Sequence, residues 1–91
     1  MNLPRRVPVF GHKIDITRKP DGDEAEGIMG WFQTGRQLIY VRPDMHPEME
    51  TETLYHEMAE AANSIAELHM NHHQITQVGL LLFQSFELKH G

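Results

Sequence analysis

The sequence predicts an α+β domain in which a small antiparallel sheet of three to four strands packs against a two-helix hairpin. In the first half of the chain, up to about residue 42, apolar residues alternate with polar ones, which is the period of half-buried strands. Beyond Pro43 the apolar spacing becomes three and four residues, the period of amphipathic helices. A chain of 91 residues has room for one hydrophobic core, so we expect a single domain over residues 1–91.

The amino-acid composition restricts the metal ligands and the binding partners that the chain can have. Hydrophobic residues make up 40% and charged residues 23% of the chain, a balance typical of globular proteins. There is no cysteine, so any metal must be held by His, Asp, Glu or water. A net charge of -5 argues against nucleic-acid binding, because phosphate backbones attract basic surfaces. The basic residues Arg5, Arg6, Arg18 and Lys19 are interpreted as a solubilising surface.

The sequence also predicts where the protein acts. Its basic start is not followed by an apolar run of signal-peptide length, and nowhere does it reach the roughly 18 consecutive apolar residues of a transmembrane helix. We therefore expect a cytoplasmic protein without a membrane partner.

Two hairpins are expected in the first half of the chain. Residues 7–17 alternate around Gly11 and predict the first. Residues 19–27 are rich in turn formers and acids and predict a surface loop. The second hairpin would pair residues 28–32 with residues 38–42 through a tight turn. Gly35 lies in that turn, and we expect it to take the positive φ that the connection needs.

Two helices are expected in the second half, over about residues 48–68 and 72–89. Pro47 suits a first helical turn, where no backbone N–H bond is required. Asn71 and Gln74 have the spacing of a capping box that opens the second helix. Leu80 and Leu81 widen the apolar face of this helix, which predicts burial on more than one side. The apolar stripe expected on the first helix is Leu54, Met58, Ala61, Ile65 and Leu68.

The residues that carry chemistry begin at His56. On a helix, His56 and Glu60 point to the same side one turn apart, with Glu57 beside them. In the HExxH motif of zinc hydrolases two histidines bind zinc and the intervening Glu is the general base. Here Glu60 replaces the second histidine, so the segment reads HExxE. Tyr55 and Asn63 are predicted to support the site or an oxyanion.

A third ligand is expected from a histidine cluster near the start of the second helix. His72 is preferred over His73, with His69 third, and a set of two His and one Glu suits Zn with an open coordination position. His72 can reach His56 and Glu60 only if the first helix ends early, near residues 63–66, or if the second helix folds back tightly across it.

Simpler interpretations remain for both helices. His56 and Glu60 can form an ordinary polar pair on a solvated helix face. Leu80 to Phe83 can mark a partner interface, including that of a homodimer, because small domains often cover surplus apolar surface in this way.

The segments TETLYHEMAEAAN and NHHQI, followed by an apolar helix with Phe83 and Gln84, resemble small phage and prophage zincin-like proteins. These are similar to minimal metallopeptidases of the ImmA/IrrE type. The resemblance covers residues 11–86. It implies zinc held by His56 and Glu60, with His72 as third ligand and Glu57 as base. It further implies hydrolysis of a peptide or amide bond in the bacterial host cytoplasm. The alternative is a non-catalytic phage accessory protein that uses the scaffold to bind another protein.

Overall fold

A computed structural model describes residues 3–19 and 27–90 and confirms the predicted α+β class. The predicted loop at residues 19–27 lies mostly outside the described residues. The strands are β1 (Arg6–Val9), β2 (His12–Thr17), β3 (Gly30–Gln33) and β4 (Leu38–Val41), and the helices are α1 (Pro47–Ile65) and α2 (His72–His90). A short 3-10 turn, Thr34–Arg36, connects β3 to β4.

The sheet has four strands, within the predicted three to four, but it is mixed where an antiparallel sheet was expected. Its strand order is β1-β2-β4-β3. The β1–β2 and β3–β4 pairs are antiparallel, whereas β2 and β4 run parallel. The reason is that β2 and β4 are not consecutive in the chain but are joined by a long crossover that includes β3, the kind of connection that parallel strands need. In β4, Ile39, Tyr40 and Val41 are all buried. A continuous apolar run suits a central strand covered on both faces, so β4 lies inside the sheet and β3 forms its edge.

Both hairpin turns use positive φ angles. Phe10 has φ 47° and Gly11 has φ 84° between β1 and β2, as a two-residue hairpin turn requires. In the second hairpin the positive φ, 47°, belongs to Gln37, and not to Gly35 as expected. The 3-10 turn over residues 34–36 moves the left-handed position to its C-cap.

The hydrophobic core lies between the sheet and α1. The predicted stripe of α1 faces this core, with Leu54 and Ala61 buried and Met58 and Ile65 packed against them. Leu68, in contrast, lies beyond the helix and is 46% exposed, because α1 ends at Ile65 rather than near residue 68. The buried cluster consists of Val7, Val9, Ile14, Ile39, Val41, Leu54 and Ala61.

Helix α2 packs on α1. Ile75 is buried in α2, but the expectation that this helix is buried on more than one side was wrong. Leu80 and Leu81 are 44% and 62% exposed, because α1 covers one side of α2 and these residues lie on another. Among the described residues, no helix is both long enough and apolar enough to cross a membrane.

Candidate metal centre

Helix α1 supplies two candidate metal ligands on one side. The Nε2 atom of His56 lies 3.9 Å from the Oε1 atom of Glu60, as the i,i+4 spacing predicts. Their side chains are 27% and 34% exposed. This side of α1 is not a fully solvated face, because α2 packs against it at His56.

The third candidate ligand, His72, is the first residue of α2. The predicted capping box fixes this end of the helix. The Asn71 backbone N–H donates to Gln74 Oε1, and the Gln74 N–H donates to Asn71 Oδ1, each at 2.9 Å. The His56 and His72 rings then meet edge to face, with centroids 5.6 Å apart and an interplanar angle of 65°.

Gly79 allows the two helices to approach this closely. A Cβ atom at residue 79 would lie 2.9 Å from the Cα atom of His56, closer than ordinary van der Waals contact allows. Glycine weakens a helix interior by roughly 1 kcal/mol relative to alanine. Its position opposite His56 therefore has a packing reason, since any side chain there would push α2, and with it His72, away from α1.

The connection between the helices is short because α1 ends early. Asn63 Oδ1 accepts a hydrogen bond from the Met70 backbone N–H at 2.8 Å, so the end of α1 holds the residues that lead into α2. The helix stops within the range, residues 63–66, that the predicted site required. Asn63 thus fixes the connection that leads into α2, and its role as a supporting residue of the site stays a prediction.

The three side chains meet in one group. One ligand atom from each of His56, Glu60 and His72 lies within 4.8 Å of the others. Around a tetrahedral zinc ion with bonds of about 2.0–2.1 Å, neighbouring ligand atoms are roughly 3.3 Å apart. Side-chain adjustments of about 1 Å would therefore bring the three ligand atoms to the separation that a zinc ion requires. Two imidazoles and one carboxylate are a donor set that suits zinc and leaves a position open.

The other two histidines of the cluster lie outside this group. His73 follows His72 directly, so it points about 100° away around the helix, and it is exposed. His69 is also exposed and lies in the interhelical connection with φ 58°. Of the three alternatives, the structure brings only His72 to His56 and Glu60.

Glu57, the predicted general base, is buried, with 7% of its surface exposed. Its carboxylate accepts a hydrogen bond from the Phe32 backbone N–H on β3. Burial raises the pKa of Glu57 to about 7, the charge of Glu60 adds to the increase, and the Phe32 hydrogen bond opposes it. A carboxyl group with this pKa changes protonation near neutral pH, as a general base requires.

Gly30 makes room for Glu57 at the sheet edge. A Cβ atom at residue 30 would lie 2.6 Å from Thr53 Cγ2 and 3.2 Å from Glu57 Oε2. The absence of a side chain therefore lets β3 approach α1 closely enough for Phe32 to reach the carboxylate.

A pocket of about 360 Å³ opens beside these residues, between β3, α1 and the first turns of α2. His56, Glu57 and His72 line one part of it, so two candidate ligands and the candidate base face the same space. Met29, Met49 and Glu52 also line the pocket.

Tyr55 lies at the contact between the two helices. Its ring packs against that of Phe86 on α2, with centroids 5.9 Å apart, and burial raises the pKa of its hydroxyl. This contact joins the helices behind the site, so Tyr55 supports the interhelical packing. A role at the oxyanion stays a prediction.

The packing glycines Gly30 and Gly79 were not predicted, and neither were the pocket positions of Met29, Met49 and Glu52. Gly79 had a detectable signal, because an isolated glycine inside a helical pattern usually has a packing or functional reason. Glu52 and Met49 had one too, because they lie four and seven residues before His56 on one helix, a spacing that places all three on the same side. Met29 had none, since only the folded chain brings it to His56.

In comparisons with protein-family models, curated proteins and solved structures, nothing matches this chain. The resemblance to phage and prophage zincin-like proteins therefore stays a prediction.

Proposed function

We propose that this protein is a zincin-like domain that binds one divalent cation, preferably zinc, through His56, Glu60 and His72. We further propose that it hydrolyses a peptide or amide bond in the bacterial host cytoplasm, with Glu57 as the base. The observation that carries the proposal is the convergence of three ligand atoms from two helices within 4.8 Å, beside a pocket that also contains Glu57.

The residues of the chain have distinct tasks in this reaction. A bound zinc ion would polarise the substrate carbonyl as a Lewis acid. Glu57 accepts the proton of the attacking water. Its pKa of about 7 in the metal-free chain would fall when a cation binds beside it, which favours the ionised carboxylate that a base needs. The Phe32 N–H holds the carboxylate in place, so little reorganisation is needed when the proton moves.

Metal content measured by elemental mass spectrometry tests the site. The protein is purified without an affinity tag, incubated with micromolar zinc and desalted. We expect near-stoichiometric zinc in the wild type and loss of zinc in His56→Ala, Glu60→Ala and His72→Ala. The matched control is His73→Ala, which removes an exposed imidazole next to His72 and should retain zinc. Equal zinc content in His72→Ala and His73→Ala would reject the ligand set.

Hydrolysis is tested separately with Glu57→Gln. This variant keeps an acceptor for the Phe32 N–H but cannot accept the proton, so we expect it to bind zinc and lose hydrolysis of a peptide library followed by mass spectrometry. If wild type and Glu57→Gln bind zinc equally and neither cleaves any peptide, the metal site stands and the hydrolase proposal fails.

One observation favours a second function, that of a non-catalytic accessory protein that binds another protein or a second copy of itself. Helix α2 exposes Leu80, Leu81 and Leu88 at 44%, 62% and 81%, and exposed apolar patches commonly mark interaction surfaces. Light scattering after gel filtration would detect a homodimer, and Leu81→Asp should abolish it. A monomer that holds zinc favours the metal-site function.

A further inference from the structure

The pocket beside the metal centre contains a carboxylate that the proposed reaction does not use. Glu52 lies four residues before His56 on α1, so it lines the pocket about 6 Å further along the helix axis. An extended lysine side chain spans a comparable length between its Cα atom and its ammonium group. A substrate carbonyl at the metal centre would therefore leave the end of a long side chain near Glu52.

The surroundings of Glu52 differ from those of its neighbour Glu50. Glu50 is buried and pairs with the Arg18 guanidinium. The Glu52 side chain makes no hydrogen bond or salt bridge to another residue that the structure describes. Among the described residues that line the pocket there is no Lys or Arg either, so the Glu52 carboxylate has no permanently charged basic partner there. A cationic group from outside would supply the missing charge.

The walls near Glu52 suit the apolar stem of such a side chain. Met29 and Met49 both line the pocket and are 48% and 39% exposed. Thioether side chains adapt to the shape of a partner, and basic side chains bury their methylene groups along apolar surface while the charged end stays polar. Together, two apolar walls and one carboxylate complement a lysine or arginine side chain.

We infer that Glu52, Met29 and Met49 form a subsite that selects a basic side chain next to the bond to be cleaved. The inference rests on the proposed function for the identity of the substrate as a peptide. Glu52 is a specificity residue in this arrangement, because it contacts the substrate side chain and not the reacting atoms. Acidic side chains are disfavoured, since Glu52 and Glu57 both face the pocket.

Peptide binding followed by fluorescence anisotropy tests this subsite. The probes are a labelled alanine pentapeptide with a central lysine and the same peptide with norleucine, which keeps the four-carbon stem and lacks the ammonium. Binding is measured with zinc and with a chelator, in the Glu57→Gln chain and in the wild type, with intact peptide verified by mass spectrometry. The test variant is Glu52→Gln, and the matched control is Glu48→Gln, which removes an exposed carboxylate of α1 outside the pocket lining.

We expect the lysine peptide to bind roughly three- to tenfold more tightly than the norleucine peptide at low salt. Glu52→Gln should remove this difference and Glu48→Gln should keep it. In methyl NMR spectra, the lysine peptide should shift the Met29 and Met49 signals and leave Met45, which packs against the core, unchanged. Equal binding of both peptides, binding of neither, or a preference that survives Glu52→Gln would overturn the inference.

Zinc content of the same samples separates the two proposals. A Glu52→Gln chain that retains zinc and loses the lysine preference supports both. A wild-type chain that retains zinc but binds the lysine and norleucine peptides equally rejects the subsite and leaves the metal function standing. A lysine preference that is equal with zinc and with chelator, in a chain that holds no zinc, supports the subsite and rejects the metal function.

Discussion

Helix α1 contacts the sheet and helix α2 with different kinds of side chain. Towards the sheet it presents Leu54 and Ala61, which are buried among valine and isoleucine side chains. Towards α2 it presents His56, Glu60 and Asn63, and the helices approach through Gly79. The first contact stabilises the fold by burial of apolar surface, whereas the second combines the ring contact of Tyr55 and Phe86 with polar groups whose positions it fixes. Stability and site geometry therefore depend on different faces of one helix, and substitutions should separate them.

The largest effect on stability is expected from a substitution in the core between α1 and the sheet. Ile39 is fully buried in β4, so Ile39→Ala should lower the free energy of unfolding by about 3 kcal/mol, through lost burial and the cavity left behind. Urea denaturation would measure the loss. Leu81→Ala is the control, because Leu81 is 62% exposed and its truncation should change stability by less than about 0.5 kcal/mol. Equal losses in both variants would contradict the assigned core.

Glu57 lies on α1 beside β3 and the candidate ligands. Its protonation makes the free energy of unfolding depend on pH. Its pKa in the folded chain is about 7, above the ordinary value of 4.5. The stability that its protonated form contributes is thus fully present below pH 4.5 and is lost as the pH rises through 7. In chelator, the wild type should lose on the order of 2 kcal/mol relative to Glu57→Gln between these pH values.

Urea denaturation across this pH range would test the linkage, with Glu48→Gln as a control for the removal of an exposed carboxylate from α1. A pH-independent difference between wild type and Glu57→Gln would mean that Glu57 titrates like an ordinary surface acid.

On the α2 side, Gly79→Ala should impair the site more than the fold. The added Cβ would lie 2.9 Å from His56 Cα, so the helices must separate. The better helix propensity of alanine, about 1 kcal/mol, partly offsets that strain. We expect a change in unfolding free energy of about 1 kcal/mol or less and a zinc affinity lowered at least about tenfold.

Competition with a zinc-chelating dye would measure this affinity. The control is Gly35→Ala, where an added Cβ meets nothing within 4 Å. Should Gly79→Ala bind zinc as tightly as Gly35→Ala, the close approach of the helices is not what positions His72.

The smallest expected effect concerns the connection between the helices. Asn63→Ala removes the acceptor of the Met70 N–H and should cost about 1 kcal/mol of stability. Zinc affinity should fall several-fold, because the connection leads into His72. Asn63→Asp keeps an acceptor and should restore both quantities. A loss of zinc binding in Asn63→Asp as severe as in Asn63→Ala would indicate a role other than this hydrogen bond.

The parts of this arrangement that sequence predicts are the local ones. The capping box of Asn71 and Gln74 and the i,i+4 pair of His56 and Glu60 follow from spacing along a single helix. The choice of His72 needed one further condition, an early end of α1, which the structure meets at Ile65.

The remaining parts depend on contacts between distant segments. The parallel pairing of β2 with β4 joins residues 15–17 to residues 38–40, and alternation within a strand specifies neither the order of the strands nor their direction. The hydrogen bond from Phe32 to Glu57 likewise requires β3 to lie at the sheet edge next to α1. Neither contact leaves a pattern within the segment that makes it.

The three candidate ligands differ in accessibility: His56 and Glu60 are partly buried, whereas His72 is exposed. A bound ion could then be released towards solvent by rotation of the His72 ring alone, without separation of α1 from the sheet. Metal exchange with small chelators would be faster than unfolding, so the ion carried by the purified protein would reflect the last solution it met. The metal bound in the cell is therefore best identified by rapid isolation of the protein from cells in metal-free buffer.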